Sequence, residues 1–356
     1  MTSFKKIHIA IVCVVAVLTL TTSTVSGQQS QPFTQYLFSR FLLNPAACGA
    51  DGYTSVGLTA KDHWTGFPGS PSNQTLTAQL RLPREGISGR RFGYHTSGVF
   101  SPENVGLGLT LFNDMRGPIR TTGGSFTYAY HIEDLSGQLS FGLTTSFSQL
   151  YIDRDQIITE LGRDRYIDET KLSSFIPEAA FGVHYTNSNF YTGLSASNLF
   201  QSYLTFGGRN SSDYRLERQY TFLGGYVFDI NREWAFVPGT QVKFNERLAA
   251  QVDGNLMFYY FDQFWGGLSY RSGGGGVVGG ASMIFGARYN QYYFGYAYDH
   301  ALSNLQRHSY GSHEIMVVIA FAHDERFFRY RRRYEFQDSE QQFRRTWIEL
   351  RRHRTR

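Results

Sequence analysis

His131 and His184 are the residues best suited to hold a metal ion, because imidazole nitrogen is a common zinc ligand. Each stands in a segment that alternates apolar residues with small or polar ones. On that alternation both histidines fall on the polar side. The two segments are separate, and no further His or Cys stands at ligand spacing, so a zinc centre is not expected. Ser, His and Asp are all present, but no Ser has the Gly-x-Ser-x-Gly surround of a nucleophile elbow. Gly273 to Gly276 lacks the Lys-Ser/Thr that completes a phosphate loop and reads as a hairpin connection. No enzymatic activity and no cofactor are therefore expected. What remains is electrostatic. Lys61, Arg81, Lys243, Asp253, Arg271, Arg288, Asp299 and Glu314 share the polar parity and mix both signs. Such charges are costly inside a protein unless paired, so they read as an interior salt-bridge network, with a conduction or cargo path as the alternative.

The elements that carry these residues follow from a period of two. Val105, Leu107, Leu109 and Leu111 interleave with Gly106, Gly108 and Thr110. Leu139, Phe141 and Leu143 interleave with Ser140, Gly142 and Thr144. A period of two describes a strand with one apolar and one polar face. Fourteen such segments follow one another, from Val56/Leu58/Ala60 and Leu76/Ala78/Leu80 to Met283/Phe285/Tyr289, Tyr292/Phe294/Tyr296 and Ile315/Val317/Ile319. Strands of this kind, with aromatics 16% of the chain, predict a closed antiparallel transmembrane β-barrel of about 14 strands. An even count places both chain ends on one rim. Asn187-Ser188-Asn189, Phe261-Asp262 and Asn290 give tight turns there, and residues 154–174, 200–214 and 300–310 give long loops on the other. Short periplasmic turns and long outer loops are the expected asymmetry. The long connection 83–103 falls on the short-turn rim: either it is functional or the count is off by one near it.

Outside the barrel, Lys5 and Lys6 followed by the apolar run Ile7–Leu20 read as a secretory signal over residues 1–27. Residues 28–52 are expected as an N-terminal periplasmic segment. Within it, Phe33, Tyr36, Leu37, Phe41 and Leu42 fit a short helix ending near Asn44-Pro45. The barrel is assigned to residues 53–322 and a basic periplasmic extension to 323–356. That extension carries 11 arginines against six acidic residues, which accounts for the whole net charge of +5. The body is thus balanced and does not call for nucleic acid. In the extension Phe336, Phe343, Trp347 and Leu350 fall on one stripe of an amphipathic helix, behind Arg331, Arg332 and Arg333.

Several motifs carry a family resemblance. Gln35-Tyr36-Leu37-Phe38 with Leu43-Asn44-Pro45-Ala46-Ala47-Cys48-Gly49, and Trp64-Thr65-Gly66-Phe67-Pro68-Gly69-Ser70-Pro71, resemble the opening of the PorP/SprF family. Gly106-Leu107-Gly108, Gly193-Leu194-Ser195, Gly267-Leu268-Ser269-Tyr270-Arg271, Gly295-Tyr296-Ala297-Tyr298-Asp299 and Gly311-Ser312-His313-Glu314-Ile315 continue it in order. The resemblance implies an outer-membrane component of the type IX secretion system, in some members supporting gliding motility. It implies as partners periplasmic secretion-ring proteins or lipoproteins and secreted adhesin cargo with a C-terminal signal domain, besides outer-membrane lipid. The extension past Phe321 departs from the family pattern. Candidate partner-binding residues are Asn44, Pro45, Trp64, Phe67, Arg331, Arg332, Arg333, Phe343, Trp347 and Leu350. For the Trp64 loop the alternatives are an interfacial anchor or a loop folded into the lumen. For the extension they are an anionic surface or a solvated terminus. The runner-up function is a diffusion or transport barrel for small or apolar ligands.

Overall fold

The computed structural model describes residues 33–82, 104–134, 137–153, 173–204, 214–231, 233–246, 250–272, 279–302 and 309–323. The expected signal segment, the 83–103 connection, the Gly273–Gly276 loop and the arginine-rich extension lie outside them, as does most of the 154–174, 200–214 and 300–310 loops.

Alternating side chains force each segment into an extended conformation with two unlike faces. Among the described residues the strands are β1 (Tyr53–Asp62), β2 (Ser72–Arg81), β3 (Val105–Arg116), β4 (Ile119–Asp134), β5 (Gly137–Ile152), β6 (Ser173–Thr186), β7 (Phe190–Ser197), β8 (Tyr203–Leu204), β9 (Tyr214–Arg215), β10 (Gln219–Tyr226), β11 (Phe228–Asp229), β12 (Trp234–Asn245), β13 (Ala250–Tyr260), β14 (Phe264–Arg271), β15 (Gly280–Tyr289), β16 (Tyr292–Ala301) and β17 (Ser312–His323). β8 and β9 form a separate small hairpin, and β11 continues β10 along the edge of β12. The other fourteen form an antiparallel wall in which sequence neighbours pair. It is closed by β1 against β17, with Leu58 opposite Val317 and Lys61 opposite Glu314. Closure removes every free edge. β2 pairs directly with β3, so the strand count there is right: β2 ends and β3 begins at the short-turn rim. The last strand runs one residue past the expected boundary, to His323.

The outward parity forms an apolar band. Leu58, Leu109, Phe126, Leu143, Leu194, Leu268, Phe285 and Ile315 are all exposed on it. A contiguous apolar surface of this extent suits lipid rather than water. Val252 and Phe236 share the parity yet are buried. Phe236 is covered by the rings of Phe228 and Phe258, at 6.2 and 4.8 Å. On the short-turn rim, aromatic pairs such as Trp234–Tyr260 (4.6 Å) and Tyr226–Phe228 (4.4 Å) mark a membrane-interface belt. Turn chemistry there is local. Asn187 Oδ1 accepts the amides of Asn189 and Phe190 at 2.9 and 2.8 Å, and Phe261, Asp262 and Asn290 adopt positive φ.

Two expectations about the N-terminal segment are corrected. There is no continuous helix: residues 36–38, 40–42 and 45–47 are three separate 3-10 turns. Non-helical backbone at Ser39 (φ −131°, ψ 47°) and extended backbone at Asn44 (φ −139°) interrupt them, and Pro45 has no N–H to continue a ladder. Nor does the segment project away from the wall. Tyr36, Phe41, Asn44, Ala46, Ala47, Cys48 and Ala50 are buried within the barrel. A fourteen-stranded barrel is too wide for wall side chains alone to fill. Residues 33–52 fill it as a plug.

Candidate functional site

The plug lies on a track of small residues. Gly106, Ala129, Gly142, Gly182 and Ser195 are successive cross-strand partners on β3, β4, β5, β6 and β7, all on the inner face. A Cβ at Gly106 would overlap the Cys48 carbonyl, at Gly142 the Pro45–Ala46 peptide, and at Gly182 the Asn44 carboxamide. Close backbone approach is what glycine permits. Hydrogen bonds fix the register of plug on wall. Ser195 Oγ donates to Leu43 O at 2.6 Å, Asn44 Nδ2 donates to Val183 O at 2.9 Å, and Gly49 N donates to Gln79 Oε1 at 3.1 Å. His131 Nε2 bonds Cys48 O at 3.0 Å, while its Nδ1 meets Ser140 Oγ at 2.7 Å. The imidazole expected to point inward therefore holds the plug. His184 stacks on Tyr191 instead, with ring centroids 6.5 Å apart. Asn44 and Pro45, expected to contact a partner, face the barrel's own wall. Asn44 is 0% exposed and spends its donors on β6 and β7, so an external partner has no access to it while the plug is seated.

At the other end of the plug the contacts are ionic. Lys61 Nζ lies 2.6 Å from Asp299 Oδ2 and 3.2 Å from Glu314 Oε2, and donates to Thr34 Oγ1 at 2.7 Å. Glu314 accepts the backbone amides of Thr34 (2.7 Å) and Gln35 (2.9 Å), and Thr34 Oγ1 donates to Asp299. Charge-assisted bonds of this kind are the strong ones. Next to them Arg271 Nε pairs with Asp253 Oδ1 at 3.3 Å, and Lys243 is buried on the same face in register with Gln251. Lys61, Lys243 and Arg271 thus balance Asp253, Asp299 and Glu314. Two residues of the expected network stand apart. Arg81 pairs with exposed Glu133 at 2.6 Å, and Arg288 lies over the Tyr293 ring with its Nε on Asn290 O. Between the two ends, Phe38 packs on Trp265 (4.8 Å) and Arg40 lies 4.7 Å over the Tyr191 ring. Two small cavities, each about 20 Å³, lie beside the plug. One lies under Phe33, Tyr36 and Leu43, the other beside His63, Arg271 and Asp299. Each has room for about one water.

The Trp64 loop occupies the long-loop rim, far from Asn44. Trp64 is half-buried with φ 48° and donates its amide to Ser312 Oγ at 3.1 Å. Thr65 exchanges backbone bonds with Tyr310 and Gly311, both 2.8 Å, leaving Phe67 exposed. Sequence reasoning missed the plug itself and its docking residues Gly142, Gly182 and Gln79. The readable signal was glycine recurring on the inward parity of adjacent strands.

No curated protein matches the chain. Among solved structures, the Ralstonia pickettii toluene transporter TbuX is 10% identical, with 83% of this chain and 94% of that one covered and a TM-score of 0.44. The Acinetobacter baumannii outer membrane protein Omp33 is 9% identical, with 76% and 99% covered and a TM-score of 0.43. Residues 25–319 match the family described as type IX secretion system membrane protein PorP/SprF, and the chain belongs to that family.

Proposed function

We propose that this outer-membrane barrel is a non-enzymatic scaffold of the type IX secretion machinery. It anchors periplasmic ring proteins or lipoproteins and assists export of surface adhesin cargo. The observation that carries this reading is the filled lumen: residues 33–52 occupy the space through which a diffusion barrel would pass its solute. A closed barrel contributes through its rims and extensions. The wall fixes the molecule in lipid, and the long-loop rim offers Phe67 and Tyr310 to cargo. The arginine-rich extension with Phe343, Trp347 and Leu350 offers basic and apolar surface to ring components.

Affinity purification of the tagged protein from gently solubilised outer membranes, followed by mass spectrometry, tests the reading. Co-elution of secretion-ring lipoproteins or a large adhesin is expected. A barrel that elutes alone, reproducibly and in mild detergent, overturns it.

A further inference from the structure

The wall behind the plug has the chemistry of a water-lined conduit. Its inward positions include Thr59, Thr77, Thr127, Gln241, Gln251 and Asn255, all buried. A permanently dry core would place Val, Leu or Ile at such positions, whereas barrels with a wet interior place polar residues there. The plug satisfies this wall only in part. Among the described residues, both amide atoms of Gln241, both ring nitrogens of His184 and Oδ1 of Asn255 find no hydrogen-bond partner, although each residue is at most 1% exposed. Buried groups in that state take up water.

Three further features make the plug separable from the wall. The ladder closes completely through strand–strand pairing, and no strand pairs with residues 33–52, so their removal breaks no wall ladder. The plug joins β1 through Gly52, left-handed at φ 73° beside exposed Asp51, so a short glycine turn and no strand links it to the wall at the short-turn rim. Its far end is tied by Lys61, Asp299 and Glu314, groups that water solvates readily once the tie opens.

We propose that residues 33–50 are a displaceable stopper in a latent pore for small hydrophilic solutes, latched shut by Glu314 and its partners. This activity goes beyond the scaffold reading. Partner co-purification and solute passage are separate measurements, so either proposal fails without the other.

The test is ion conductance of the purified full-length barrel in planar bilayers with potassium chloride as the probe. The wild-type barrel is expected to hold a closed baseline. Glu314→Gln, which keeps the side-chain shape but removes the charge facing Lys61 and the Thr34 and Gln35 amides, should raise the fraction of time open about tenfold or more. A lock supplies the control. A Cβ at Gly108 would lie 2.7 Å from Cys48 Sγ. In a disulfide the span from Cβ to the far sulfur is about 3 Å. Gly108→Cys in the Glu314→Gln background should therefore be silent when oxidised and should conduct after reduction. Heat-modifiable mobility confirms folding of each variant. A folded Glu314→Gln barrel that stays silent, a wild-type barrel that conducts steadily, or equal conductance of the oxidised and reduced lock would each overturn the proposal.

Discussion

The Asn44 carboxamide fills the space that a side chain at Gly182 would need, across 138 positions of sequence. The same carboxamide serves both partners. Its Oδ1 accepts Ala46 N at 3.0 Å, capping a 3-10 turn of the plug, while its Nδ2 donates to Val183 O on the wall. The plug's local fold and its docking are therefore one interaction.

Gly142→Ala is expected to unseat the plug without dissolving the wall. Its Cβ would meet the Pro45–Ala46 backbone, which cannot rotate away as a side chain could. Overpacking of this kind costs about 1–3 kcal/mol, equivalent to about five- to 150-fold in plug release. The rate of maleimide labelling at buried Cys48 reads it, and an unchanged rate would count against the docking described above.

Cys48 lies in the plug rather than in a spanning strand, and burial pushes its thiol up to about 12. The seated plug thus favours the protonated thiol. That preference is fully present below the ordinary value of 9.0 and is lost as pH rises toward 12. Slow alkylation of folded protein at pH 8, with plug release accelerating above pH 9, is the expected profile. Fast labelling at pH 8 would contradict it.

Lys61→Met should destabilise the barrel by about 3–5 kcal/mol, because it leaves Asp299 and Glu314 buried without their shared cation. The temperature at which heat-modifiable mobility is lost should fall, and the double variant Lys61→Met with Glu314→Gln should recover part of the loss.

Phe285→Arg, on the outer face of β15 where Phe285 is 56% exposed, should weaken insertion by about 2–4 kcal/mol if it sits at the bilayer midplane. Wild-type abundance of the folded form in outer membranes would show that this face does not meet lipid.

Deletion of residues 324–356 should leave the barrel folded, since the last wall strand ends at His323, and should reduce co-purification of ring proteins several-fold. Unchanged co-purification would remove the extension from the proposed scaffold.

The wall was legible because lipid on one side imposes a strict period of two. All fourteen wall strands follow from it, as does the inward parity of Lys61, Arg271, Asp299 and Glu314. The plug was not legible, because its apolar residues at 33, 36, 41 and 42 fit a surface helix as well as a chain of 3-10 turns. Periodicity reports which face is apolar but not what covers it. The pairings inside the lumen were hidden for a similar reason. Parity puts Arg81 and Arg288 on the inner face, but their height along the strand, near the short-turn rim, keeps them from the Lys61 cluster. In the sequence, glycine at 106, 142 and 182 reads only as a small residue on the inward parity. Only cross-strand register reveals that the three line up.

Lys61 and Glu314 face each other across the join between the first strand and the last. The residues that tie down Thr34 and Gln35 therefore become neighbours only when the final strand has found the first. A truncated or half-zipped chain would keep its leading segment loose and the Cys48 thiol open. The ion pair thus works as a seal of completed assembly, visible from outside as the moment Cys48 stops reacting.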